Sequence, residues 1–186
     1  MIAIKTLPEM PDIESWINPF VDVNKNDWFF KSIALAYEYG LLQGTSATTF
    51  EPHTLTTRSM FVTMLYNMVG KPDIITEETS WYAKGRAWAM ENGISDGTAM
   101  DSAITREQLI TMLWRYAGEP DVIGYEGLTG FVDVDQISGY AKQACAWAHK
   151  EGIIAGKGNG ILDPKGYATR AETATVMINY LNTTVK

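Results

Sequence analysis

Three Thr-Arg pairs carry the chemistry most visible in this chain: Thr57-Arg58, Thr105-Arg106 and Thr169-Arg170. Each heads an apolar run with helical spacing. In "YATRAETATVM" Thr169 takes the N-cap position, Glu172 completes a capping box three residues on, and Arg170 becomes the first helical residue. A cation there opposes the helix dipole by roughly 0.3–1 kcal/mol. Made three times, the same placement points to an anion as partner. Unpaired backbone N–H groups at a helix start attract a carboxylate, and the guanidinium fork grips it bidentately. The competing reading pairs each arginine with an Asp or Glu of a neighbouring unit.

The elements that position these pairs come from an internal repeat. "WFFKSIALAYEYGLLQG" from Trp28, "WYAKGRAWAMENGISDG" from Trp81 and "YAKQACAWAHKEGIIAG" from Tyr140 align without gaps. Glycine follows the opening aromatic at +12 (Gly40, Gly93, Gly152) and again at +16 (Gly44, Gly97, Gly156), and alanines recur at +6 and +8. Each unit reads as helix, loop, helix. The first helix is expected to run from about the opening aromatic to just before the first glycine, which suits a left-handed helix end. The second helix shows a buried stripe at intervals of three and four: Phe61, Met64, Leu65 and Met68, then Leu109, Met112, Leu113 and Tyr116, then Thr173, Val176, Met177, Tyr180 and Leu181.

The units differ. "FVDV" opens the first and third units, at Phe20 and Phe131, and is missing from the second. The loop from Gly97 to Arg106 spans nine positions, against fourteen in the other two units. Unit one lacks the capping box, with Met60 in its place. Linkers "GKPDIITEETS" and "GEPDVIGYEGLTG" divide the chain into a lead segment 1–19, a first module 20–72, a second module 73–120 with a shortened loop, and a third module 121–186. "IESWI", from Ile13, is expected to form a short helix packed on the bundle. One module cannot bury its apolar faces alone, so the three are expected to share a core.

Composition narrows the function classes. The chain has 186 residues, 46% hydrophobic and 20% charged, with a net charge of −7. It is globular in composition and too acidic to be a bulk binder of nucleic acid or anionic membrane. No apolar stretch reaches the ~20 residues of a membrane span, and "MIAIKTLPEM" contains no signal-peptide core. Cys145, the single cysteine, builds neither a disulfide framework nor a cysteine-based zinc site. His53 and His149 have no metal-ligand spacing, and no cofactor is expected. "DVNKNDWFFKSI" lacks the glycine and glutamate of a calcium loop, and "GKGNG" lacks the ending of a phosphate loop. No pair of acids stands out as a glycosidase dyad. Trp88 and Trp147, beside the alanines, read as core.

The combination of "FVDV…DWFFKSIALAYEYGLLQGTSATTFEPHTLTTR", the repeated glycines, "ITRE" and "ATRAE" resembles the S-layer homology (SLH) family over roughly residues 20–181. The resemblance implies an all-α fold of three helix-loop-helix modules in one pseudo-threefold bundle. It implies a non-catalytic module of a larger surface protein, located outside the cell at the bacterial cell wall. The ligand it implies is a secondary cell wall polysaccharide bearing ketal-linked pyruvate, held in grooves between modules. By position, the ligand residues would be Arg58, Arg106 and Arg170, the aromatics Trp28, Trp81 and Tyr140, and loop backbone at Gly44, Gly97 and Gly156. Plain core is the alternative for the aromatics, and turn geometry the alternative for the glycines. The alternative function is a helical protein-interaction module, with a small glycan-active enzyme behind it.

Overall fold

The computed structural model describes Ile13 and residues 15–184. Among the described residues the fold is all-α, with six helices: α1 Phe30–Glu38, α2 Arg58–Met68, α3 Ala83–Glu91, α4 Arg106–Tyr116, α5 Lys142–Lys150 and α6 Arg170–Thr184. Each first helix begins two residues after the opening aromatic rather than at it. The aromatic itself stays outside, and the next position turns inward instead: Phe29 is 3% exposed and Ala141 is fully buried. The first glycine ends these helices as expected. Gly40, Gly93 and Gly152 have φ of 67°, 68° and 70°. Around them the N–H groups of Leu41, Ile94 and Ile153 donate back to the carbonyls of Ala36, Ala89 and Ala148, a Schellman closure repeated three times.

Contacts between units run in a cycle. The first helix of each unit packs on the second helix of the unit before it: α3 on α2, α5 on α4, and α1 on α6. The whole second-helix stripe read from the sequence is buried, and so are Trp88 and Trp147. Where the three loops meet, their backbones bond head to tail. Thr56 donates to Ala168, Ala168 to Ile104, and Ile104 to Thr56, at 2.9, 3.0 and 2.9 Å. These three residues each lie two positions before a repeated arginine.

"FVDV" and the long loop belong together. The carboxylate of Asp22 accepts the N–H groups of Phe50 and Glu51, and that of Asp133 accepts those of Leu162 and Asp163, all at 2.7–3.2 Å. Glu51 and Asp163 hold positive φ of 57° and 58° at those folds. The preceding ring closes the other side. A Cβ on Gly44 would lie 2.6 Å from Phe20, and one on Gly156 would lie 2.8 Å from Phe131. A unit without the motif has nothing to pin a fourteen-position loop, and unit two carries the short one.

The expected helix at "IESWI" does not form among its described residues, while Glu14 lies outside them. The packing expected of it does occur. Trp16 sets its ring against Phe30, Tyr37 and Phe20, at centroid distances of 5.5, 6.2 and 6.4 Å.

Two glycine substitutions separate backbone strain from close packing. Gly152→Ala has open space for its methyl group but a left-handed φ, and should cost about 1 kcal/mol. Gly156→Ala meets the Ile161 carbonyl at 2.6 Å as well as Phe131, and should cost about 2–3 kcal/mol. Urea unfolding followed by tryptophan fluorescence measures the order of the two.

Candidate functional site

The repeated arginines sit at the helix starts, as the capping signals predict. Thr105 and Gln108 form a full capping box on α4. Thr169 and Glu172 form another on α6, at 2.9 and 3.2 Å. On α2 only the Thr57 hydroxyl caps, accepting from Met60 N–H.

The N–H groups at these helix starts are not unpaired. Arg58 and Ser59 donate to the carbonyls of Ser102 and Met100. Arg106 and Glu107 donate to Gly166 and Pro164, and Arg170 and Ala171 to Thr54 and Pro52. Each second helix therefore plugs into the loop of the next unit. Its arginine does the same with its side chain. Arg170 Nε and Nη2 donate to the carbonyls of Phe50 and Gln43 at 2.9 and 2.7 Å, with the guanidinium 4.5 Å over the Phe50 ring. Arg106 donates to Leu162 and Ala155 at 3.0 and 3.2 Å. Arg58 donates to the Thr98 carbonyl at 3.0 Å and pairs with Asp96 at 2.8 Å. The cation at the dipole's positive end is thus held by two loop carbonyls at Arg106 and Arg170, and at Arg58 by one loop carbonyl and the Asp96 carboxylate of the neighbouring unit, so the pairing alternative holds there. Arg106 and Arg170 are buried in these clamps, 9% and 5% exposed.

Two grooves open beside these clamps. One, of about 460 Å³, is bounded by Arg106, by Ala155, Gly156 and Lys157 of the third loop, by Glu172, Val176 and Asn179 of α6, and by Trp28. The other, of about 270 Å³, is bounded by Arg58, by Ser95 and Asp96, by Gln108, Met112 and Arg115 of α4, and by Tyr140. Each groove draws its arginine, its loop and its aromatic from three different units. The structure thus brings together Arg106, Trp28 and Gly156, and separately Arg58 and Tyr140. Arg170, Trp81, Gly44 and Gly97 line neither groove. The three aromatics are 66%, 64% and 52% exposed, so the core alternative for them fails. The glycines at +16 serve close packing, Gly97 against Met90 and Arg86 with φ of 71°.

Sequence reasoning missed the wall supplied by the second helices. Gln108, Met112 and Arg115 recur at i, i+4 and i+7, as do Glu172, Val176 and Asn179. The polar members of that stripe were the signal. Behind the second groove, bonded to its Tyr140, lies Glu107, which is 3% exposed. It accepts from Lys165 Nζ at 2.6 Å, Ser138 Oγ at 2.9 Å, Ser138 N–H at 3.0 Å and Tyr140 Oη at 3.0 Å. Burial works to raise its pKa, but these donors outweigh it and hold the carboxyl below the usual range. Burial, then Glu107, pushes the Tyr140 phenol up to about 12. Burial also pushes the Cys145 thiol up to about 12, so it stays protonated.

Residues 19–59 and 130–174 match the model of the S-layer homology domain. In these two segments the chain carries the S-layer homology domain, known as a non-catalytic module of cell-wall attachment in surface-associated proteins. The chain is also similar to an amylopullulanase of Thermoanaerobacterium thermosulfurigenes (30% identity over 84% of this chain and 9% of the relative). It resembles an exoglucanase of Acetivibrio thermocellus (30%, over 84% and 16%) and an endoglucanase of Bacillus sp. strain KSM-635 (33%, over 88% and 19%). The chain spans less than a fifth of the length of these relatives. No helix among the described residues is long and apolar enough to cross a membrane.

Two predictions follow the clamps and the buried acid. Arg170→Ala leaves two carbonyls without their charged donor and should lower stability by about 3 kcal/mol, with Arg170→Lys recovering only part because one ammonium cannot reach as the fork does. Trp28→Ala, at an exposed site, should stay within about 0.5 kcal/mol. Chemical denaturation measures all three. Glu107→Gln should be less stable than wild type at neutral pH by about 2 kcal/mol. Because the folded-state pKa is depressed, that contribution is full above the unfolded value of about 4.3 and fades as pH falls through the folded one. Thermal unfolding from pH 7 to pH 3 should show the gap narrowing only at the acid end.

Proposed function

We propose that this chain is a cell-surface anchor with no catalytic role of its own, holding a secondary cell wall polysaccharide through ketal-pyruvate-bearing sugars in the grooves between units. The three units are modules 20–72, 73–120 and 121–186, and together they attach a larger surface protein. The carrying observation is the pair of open grooves at unit boundaries, each with a solvent-exposed aromatic beside a guanidinium. Such a ring covers the apolar face of a sugar, and the guanidinium faces its acidic substituent. The small share of each relative that the chain spans fits a module joined to other domains. Two or more weak sites along one polymer multiply their affinities.

Co-sedimentation with purified sacculi tests this, before and after mild acid removal of pyruvate ketals. Wild type should bind native sacculi at least roughly tenfold more tightly than stripped ones, as expected for losing a charge-assisted contact. Trp28→Ala should weaken binding by roughly fivefold with an unchanged circular dichroism spectrum. Binding indifferent to both changes would reject the glycan anchor and favour a protein partner.

A further inference from the structure

The two grooves differ in charge. In the larger, the cations are already neutralised: Lys157 contacts Asp163 at 3.0 Å and Glu172 at 3.2 Å, and Arg106 lies 3.9 Å from Glu172. Trp28 and Val176 add apolar wall. In the smaller, Asp96 is taken up by Arg58 at 2.8 Å, and Thr98 N–H, its leading cause, holds Asp96 below the usual carboxylate range. A second cation, Arg115, remains. No carboxylate among the described residues lies within ion-pair distance of it, and its guanidinium donates through Nη1 to the Ile94 carbonyl at 3.3 Å. Tyr140 opposite is held by its bond to Glu107, so its ring is fixed across the groove.

We propose that the grooves take different parts of the glycan: the smaller takes the acidic substituent, with Arg115 as its ion partner and Glu107 as the residue that positions Tyr140, and the larger takes an uncharged sugar ring. This rests on the anchor reading above. Arg58 is occupied with the Thr98 carbonyl and Asp96, and Arg106 with two loop carbonyls, so the cation with spare donors is Arg115, which no repeated motif marks. The corresponding residues of the other units are Asn67 and Asn179. Asn179 donates to the Ile153 carbonyl at 3.1 Å, just as Arg115 donates to Ile94. Arg115→Asn therefore removes the charge and keeps the bond that the fold uses.

The test measures binding of the full chain to native and ketal-stripped sacculi for wild type, Arg115→Asn and Trp28→Ala, and compares the native-to-stripped affinity ratio. Arg115→Asn should collapse that ratio from roughly tenfold or more to near one, while Trp28→Ala weakens binding to both surfaces and leaves the ratio in place. Glu107→Ala, which has the residue found at the matching position Ala171, should reduce the ratio partway. An Arg115→Asn ratio equal to wild type, with wild type still discriminating, would overturn the groove assignment and leave the anchor standing. A wild type that does not discriminate would remove the pyruvate reading, and this inference with it. A wild type that does not sediment would remove the anchor.

Discussion

The docking of each second helix into the loop of the following unit is the interaction on which the rest of this structure depends. A helix start leaves N–H groups without intrahelical partners. Here the first two are satisfied by loop carbonyls of the next unit, and the third by the threonine cap. The arginine at that start then reaches past the backbone into the same loop, Arg106 and Arg170 to two further carbonyls and Arg58 to the Thr98 carbonyl and the Asp96 carboxylate. A residue that looks misplaced against its own helix is well placed against its neighbour. The loops, long and rich in turns, would otherwise carry many unpaired carbonyls, and the arginines supply the missing donors.

The grooves follow from that arrangement. Once a helix start is inserted into a loop, the loop's glycine end, the flank of its own second helix and the aromatic of the third unit are left around a cleft. Sequence spacing placed the aromatic at the head of each first helix, but only the packing shows that it stands over a groove formed by the other two units. The second unit's short loop and its Arg115 then give one cleft a different character from the other.

Much of the fold was legible because helices announce themselves locally. The Thr-Arg starts, the glycine stops and the stripes at intervals of three and four all describe elements the structure contains. Each first helix starts two positions after its opening aromatic, with Trp28, Trp81 and Tyr140 facing solvent ahead of the first turn. The carbonyl partners of the arginines were not legible, because backbone carbonyls leave no mark in a sequence; the acid of a neighbouring unit was, and Asp96 beside Arg58 is that case. One signal was present and unused. "PDI", "PDI" and "PDV" recur at Pro11, Pro72 and Pro120, and the third residue of each, Ile13, Ile74 and Val122, packs against the core. The lead segment carries the linker signature, which explains why Trp16 docks without forming a helix.

Three backbone bonds link Thr56, Ile104 and Ala168 in a loop that returns to its origin. Stacked repeats normally form an open array, whose outermost members lack a neighbour and fray first. Closure abolishes that inequality. Every unit here is both donor to one neighbour and acceptor from the other, so none occupies an end. Tension applied to the chain cannot peel units away one after another from a weak margin. It must break two boundaries of the circle before any one unit comes free.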